Sequence, residues 1–240
     1  MPEPPEEHLP VADFRTIKSA SQASPSAELI DTIHMMQRRQ AWLRETLVGE
    51  EAAPRAFVGS ARLTDEPDAA GRKMRSALGF DSGWALSVCS WQEAVGELRR
   101  SIEGMGVMAV INGVVGNNTH RRLDVQEFRG FALADAYAPL IFVNGADAKS
   151  AQMFTLAHEL AHIWLGTEGL SGFEFLLPDG SDVERWCNRA AAEFLSTRSA
   201  LRSFPIDETV TGRTIEIQGL LAGRSNCSAV GCQDLVICLH

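Results

Sequence analysis

Residues 154–166 read FTLAHELAHIWLG, and the polar side chains inside this run decide what the chain can be. Apolar residues at helical spacing predict a helix that ends at Gly166. His158 and His162 stand one helical turn apart, so both imidazoles lie on one face and can reach a single metal ion. Glu159 lies to the side of that pair, where its carboxylate can take a proton from water and return it to a leaving amine. The pattern therefore predicts a metal-dependent hydrolytic centre.

A simpler interpretation treats the two histidines as hydrogen-bonded residues of a buried helix. Two imidazoles and a carboxylate are costly to desolvate unless a metal ion or polar partners compensate. We therefore favour a metal site, with Zn²⁺ as the expected ion, over two buried histidines that bind no metal. At the start of the helix, Asp147 and Ser150 are the expected capping residues.

A catalytic zinc site needs a third protein ligand, with the fourth position left open for water. Glu168 follows at a distance used by one class of zinc peptidases, but both its residue type and the position of the preceding glycine fit that class poorly. On a helix predicted for 182–195, Glu184 falls on the inward stripe and Glu193 on the opposite side. Glu184 is therefore favoured, with the alternative that it only closes a capping box with Ser181.

Three further residues are candidates for supporting roles. Asn188 lies one turn after Glu184 and would orient a metal ligand, although a buried asparagine bonded to backbone is the commoner case. Tyr137 and His120 have side chains able to stabilise the oxyanion of a hydrolytic intermediate. Spacing places neither of them, and each could equally be an ordinary strand-end or loop residue.

The order of predicted elements gives the fold class. Helices are expected from Ser24-Pro25 to Gly49, from about 65 to 78 and from Ser90 onward, followed by strands at 107–111, 128–134 and 140–144. This order predicts an α+β fold, in which a small mixed sheet packs on the helix with the two histidines and is preceded by N-terminal helices. The strand at 128–134 is the candidate edge strand for holding a substrate backbone, and an interior position under the N-terminal helices is the alternative.

Four segments are expected along the chain: a flexible lead-in at 1–25, a helical region at 26–104, a zinc metallopeptidase domain at 105–204 and an atypical tail at 205–240. In the tail, residues 211–218 alternate like a strand. Cys227, Cys232 and Cys238 gather near His240, but their spacing matches no common zinc knuckle, so a drifted chain ending is preferred to a second metal site.

Composition limits the partners and the compartment. A formal charge of −9 argues against direct binding to nucleic acid or anionic membranes. The first residues have neither the basic nor the apolar region of a signal peptide, and no apolar run is long enough to cross a membrane. Five cysteines at irregular positions fit reduced thiols better than a disulfide framework. A cytoplasmic protein is expected.

Four stretches carry a family resemblance: 154–162, Arg129-Gly130-Phe131, Ile141-Phe142-Val143-Asn144 and 184–195. Together, over roughly residues 105–200, they resemble the ImmA/IrrE family of metallopeptidases. The resemblance implies that His158, His162 and Glu184 bind Zn²⁺ and that Glu159 is catalytic.

The resemblance also implies a biological role. Family members cleave a helix-turn-helix repressor, which relieves transcriptional repression in mobile-element or stress-response systems. The alternative is a zinc-binding module that sequesters a repressor or antitoxin without cutting it. Many relatives carry their own helix-turn-helix domain, and we expect none in this chain, so the repressor would be reached by direct docking or through another protein.

Overall fold

The computed structural model describes residues 25–81, 84, 90–166 and 182–195, together with the backbone of two short strands at 214–216 and 236–238. Over these residues the elements in chain order are α1 (Ala27–Gly49), α2 (Pro67–Ala77), α3 (Trp91–Gly104), β1 (Met108–Asn112), β2 (Gly130–Leu133), β3 (Leu140–Asn144), α4 (Lys149–Leu165), α5 (Asp182–Leu195), β4 (Thr214–Glu216) and β5 (Val236–Cys238). The predicted α+β class, with N-terminal helices and a small mixed sheet, is confirmed.

The main sheet has the strand order β1-β3-β2. β1 runs parallel to β3, whereas β2 runs antiparallel to it, with Phe131 opposite Phe142. All five residues of β3 are buried, as expected for a continuous apolar strand at the centre of a covered sheet. β2 is thus an edge strand of this sheet, as predicted.

Two layers of helices cover the sheet. On one face, Leu29, Ile33 and Met36 of α1 pack in a cluster with apolar residues of β2, β3 and the chain leading into β2. On the other face, α4 packs against the sheet and is enclosed by α3 and α5 in a second, larger cluster. The two interpretations offered for β2 are therefore both partly right, because it is an edge strand and is also covered by α1.

Side-chain caps begin two of the described helices, whereas α2 and α4 begin without one. Ser26 caps α1, its hydroxyl accepting from the Leu29 N–H at 3.1 Å, and Ser90 caps α3 in the same way through Glu93. For α4 the predicted caps are wrong: Ala148 holds the N-cap position without a side-chain bond. The Asp147 carboxylate instead accepts from the adjacent Ala148 N–H at 2.8 Å. Ser150 already lies within the first turn.

The C-terminal end of α4 is held by the chain that follows α1. The Gly59 N–H donates to the Ile163 carbonyl at 3.1 Å, and the Ala61 N–H donates to that of Trp164 at 2.9 Å. These bonds satisfy carbonyls that a helix end cannot satisfy by itself. The predicted stop at Gly166 is confirmed, since this residue adopts the left-handed conformation at φ 56°.

In the tail, β4 lies inside the predicted strand at 211–218 and pairs antiparallel with β5. Residues 1–24 of the predicted lead-in at 1–25, together with Cys227, Cys232 and His240, lie outside the described residues. The segment boundaries at 25, 104 and 204 stay predictions. In the part of the chain that is described, none of the helices combines the length and apolar character needed to cross a bilayer.

Candidate metal centre

α4 is buried along almost its whole length, so the side chains of the motif face protein on every side. His158, Glu159 and His162 are 1–2% exposed. Polar groups this deep require compensation by hydrogen bonds, by opposite charge or by a bound cation. α5 supplies one compensating group, because it packs along α4 and brings Glu184 to the two imidazoles.

The three predicted ligands converge on one point. The Nε2 atoms of His158 and His162 lie 3.0 Å apart. Glu184 Oε2 lies 3.2 Å from His158 Nε2, and Glu184 Oε1 lies 3.3 Å from His162 Nε2. Across the described residues this is the one group of His, Cys, Asp and Glu side chains with the arrangement of a metal site, all its ligand atoms falling within 4.8 Å.

The spacing of these atoms fits a tetrahedral metal ion. Ligands at about 2.0–2.1 Å from a zinc ion lie about 3.3 Å from one another along the edges of the tetrahedron. The two Nε2 atoms lie 3.0 Å apart, and each lies 3.2–3.3 Å from a different oxygen of Glu184. With one ligand atom taken from each residue, all three atoms lie within 4.8 Å of one another, so small side-chain adjustments bring them to that spacing. Two imidazole nitrogens and one carboxylate are also the donor set of many catalytic zinc sites. The residues present fit a zinc ion.

The charges at the centre are coupled. Burial alone would raise the pKa of Glu184, but hydrogen bonds to His158 and His162 hold it well below its ordinary range. Burial pulls the pKa of His158 down, yet the bond to Glu184, the nearby carboxylate charges and a hydrogen bond with Asn188 together raise it. For His162, burial prevails and the pKa is lowered. The two imidazoles therefore favour the ionised form of Glu184, which is the form that binds a metal ion.

Glu159 has a different environment from Glu184. Burial, and to a smaller extent the charge of Glu184, raise the pKa of Glu159 to about 8 against the opposing effect of His158. Neither carboxylate oxygen has a hydrogen-bond partner among the described residues. Separate environments thus shift the pKa values of the two carboxyl groups in opposite directions.

Gly130 of β2 lies next to this carboxylate. A Cβ at position 130 would come 2.5 Å from Thr155 Cγ2 and 3.4 Å from Glu159 Oε1. The sequence predicted no role for this glycine, although a glycine within a strand often marks the close approach of another backbone or ligand. Here it allows the edge strand to pass directly beside the catalytic candidate.

The remaining predicted site residues fall into two groups. Asn188 lies at the centre and hydrogen-bonds to His158. Its expected role in orienting a metal ligand stays a prediction. Glu193, predicted on the outward side of its helix, is instead buried against Arg75 of α2. The outward placement is wrong because α2 covers that side of α5. Glu168 lies outside the described residues.

The two oxyanion candidates lie elsewhere. Tyr137 is in the turn between β2 and β3, where Arg44 of α1 stands over its ring. His120 is exposed in the loop after β1. In the described structure no hydrogen bond or ring contact joins either residue to the three converging side chains, and their predicted role finds no support.

Fold and centre together describe an α+β protein in which two helices bring three side chains into an arrangement that could hold one metal ion. A family model of a peptidase family, described as the IrrE N-terminal-like domain, matches residues 103–208. This match confirms the resemblance to ImmA/IrrE over these residues, and the family implies peptidase activity. Comparison with curated proteins and with solved structures gave no match.

Proposed function

We propose that the protein is a zinc-dependent endopeptidase in which His158, His162 and Glu184 hold the metal ion and Glu159 is the catalytic residue. The observation that carries this proposal is the convergence of the three side chains within 4.8 Å beside a carboxylate that has no competing bond. A zinc ion held there would lower the pKa of a water molecule and polarise the peptide carbonyl.

The protein residues supply proton transfer and exclusion of solvent. Glu159 accepts the proton of the attacking water and passes it to the leaving amine. Burial raises the pKa of Glu159 in the metal-free chain, and a bound cation would lower it toward the range in which the carboxylate can take and return a proton. The buried position of α4 keeps bulk water from competing for that carboxylate.

Substrate alignment is assigned to β2. The Asn144 N–H donates to the Arg129 carbonyl at 2.7 Å, which sets the alternation of the antiparallel ladder. By that alternation, Gly130 and Ala132 direct their N–H and C=O groups away from β3. A substrate strand bonded to Gly130 would bring its peptide group next to Glu159, so this edge is where we expect the substrate backbone to be held.

For the substrate we propose a helix-turn-helix repressor in the cytoplasm, as the family resemblance implies. The competing function is a zinc-binding module that sequesters a repressor or antitoxin. Glu159 bears on that choice, because a sequestering module needs the three ligands and has no use for a buried carboxylate with two unbonded oxygens. Its presence favours catalysis.

The test combines metal analysis with cleavage. Purified wild type, Glu159→Gln and Glu184→Ala are analysed for zinc and incubated with a helix-turn-helix repressor encoded near the gene, and the exposed Glu45→Gln is the control. We expect Glu159→Gln to keep zinc and lose cleavage, Glu184→Ala to lose both, and the control to keep both. Full zinc occupancy in Glu184→Ala would remove the ligand assignment. Undiminished repressor clearance by Glu159→Gln would favour sequestration.

A further inference from the structure

α2 lies outside the family-matched residues but packs along the whole of α5, the helix that carries Glu184. The two helices run parallel. Near the start of both, the Trp186 indole N–H donates to the Asp65 carbonyl at 2.8 Å. Near the end of both, Arg75 contacts Glu193. α5 is therefore fastened to the N-terminal region at each end.

Between these two attachments, the backbones of α2 and α5 approach each other closely at Gly71. A Cβ at Gly71 would come 2.5 Å from the Ala190 carbonyl oxygen and 3.0 Å from the Phe194 nitrogen. Only a glycine leaves room for α5 at this distance. Arg189 adds exposed ion pairs to Glu66 at 2.9 Å and to Asp68 at 3.2 Å.

Arg75 makes the strongest of these attachments. Its side chain is buried, and its Nη1 donates to the carbonyls of Glu193 at 2.6 Å and of Phe194 at 3.2 Å. Carbonyl groups in the last turn of a helix have no N–H donor within the helix. A cation at that end also complements the helix dipole. Arg75 Nη2 lies 3.6 Å from the Glu193 carboxylate, so the charge of the guanidinium is matched as well.

We propose that α2 is a positioning element of the metal centre, in which Arg75 fixes α5 along its axis and thereby holds Glu184 against His158 and His162. This inference rests on the zinc site of the proposed function. A helix transmits an axial shift along its length, and Glu184 lies about 14 Å from Glu193 at 1.5 Å per residue. Metal ligands tolerate displacements of only about 0.2 Å, so a small slide of α5 weakens binding.

The experiment measures the zinc dissociation constant of the full chain by competition with a chromophoric chelator, alongside the melting temperature without metal. Arg75→Met removes the bonds to the end of α5, and we expect the dissociation constant to rise at least about tenfold. Arg189→Ala removes the exposed pairs without burying a charge, and we expect a smaller rise of about threefold.

Ile33→Ala is the matched control, because Ile33 is equally buried but lies on α1, across the sheet from the centre. It should lower the melting temperature and leave the dissociation constant within about twofold of wild type. If Arg75→Met and Arg189→Ala also leave the zinc dissociation constant within about twofold of wild type, the positioning role of α2 is overturned. If Arg75→Met does not fold, Arg189→Ala decides alone. A wild-type chain that binds no zinc would instead refute the proposed function.

Discussion

Gly130 and Glu159 lie in contact range across the interface between β2 and α4. The Glu159 carboxylate oxygen would be 3.4 Å from a Cβ at position 130, and the methyl group of Thr155, one turn earlier on α4, would be 2.5 Å from it. The edge strand and the helix with the proposed catalytic residue therefore form one packed unit. Moving one of them would move the proposed substrate-binding edge relative to Glu159.

Replacing Gly130 with alanine should impair both stability and cleavage. The added methyl group meets Thr155 and, at 2.8 Å, the Phe142 carbonyl, so neither neighbour can give way without backbone movement. We expect a loss of about 1–3 kcal/mol in the free energy of unfolding, measured in urea, and a fall in kcat larger than the change in KM.

The control for this change is Gly96→Ala on α3, where a Cβ would meet nothing within 4 Å. An alanine there should be neutral or stabilising by up to about 1 kcal/mol. If the two variants have equal stability and full activity, the strand and the helix do not pack as described.

The pH dependence of stability should reveal Glu159 in protein freed of metal by a chelator. Its pKa is raised from 4.5 to about 8 in the folded chain. A carboxyl group with a raised folded pKa contributes most to stability below its unfolded pKa, and that contribution disappears as the pH rises through the folded value. The window is therefore about pH 4.5 to 8.

Glu159→Gln removes this loss, so the variant should gain stability over wild type as the pH rises, by an amount on the order of a few kcal/mol at pH 8. Melting temperatures of the two metal-free proteins at pH 5 and pH 8 give the comparison. If the melting temperatures of the variant and wild type differ by the same amount at pH 5 and at pH 8, the Glu159 carboxylate is not desolvated as the fold indicates.

Asn188 should affect metal affinity more than stability. Asn188 hydrogen-bonds to His158. A hydrogen bond that orients a metal ligand typically strengthens metal binding about 10–100-fold, and that is the role predicted for Asn188. We expect Asn188→Ala to raise the zinc dissociation constant within that range, whereas Arg185→Ala, an exposed change on the same helix, should leave it unchanged. Equal constants in the two variants would assign Asn188 to packing alone.

The parts of the centre that sequence could predict depend on local spacing. The spacing of His158 and His162 fixes their common face, and the helical stripe of α5 favours Glu184 over the other carboxylates. The end of α4 was likewise visible, because Gly166 is a local stop signal. Such features need only the geometry of one helix.

The parts that sequence could not predict depend on contacts between distant segments. Glu193 is expected on the outward side because nothing in α5 reveals that Arg75 will cover it. The roles of Gly71 and Gly130 follow from what lies opposite them, which spacing within one element cannot show. Asp147 resembles a cap by residue type, but the loop from β3 places Ala148 at that position.

The end of α4 offers a prediction that separates backbone strain from steric contact. Gly166 has φ 56°, which an alanine adopts at a cost of about 1 kcal/mol. Its Cβ would also come 2.2 Å from the Gly59 Cα, a backbone atom that cannot rotate away. Gly79 has a similar φ of 74° at the end of α2 but open space around it, so Gly79→Ala carries the strain without the contact.

We therefore expect Gly166→Ala to be destabilised by at least about 1 kcal/mol more than Gly79→Ala in urea unfolding. Because the displaced loop bonds to the Ile163 and Trp164 carbonyls, directly after His162, the same change should weaken zinc binding, whereas Gly79→Ala should not. If Gly166→Ala and Gly79→Ala are equally stable, the chain around Gly59 moves away from the added methyl group without a measurable cost. Support of α4 would then come from the sheet, α3 and α5 alone.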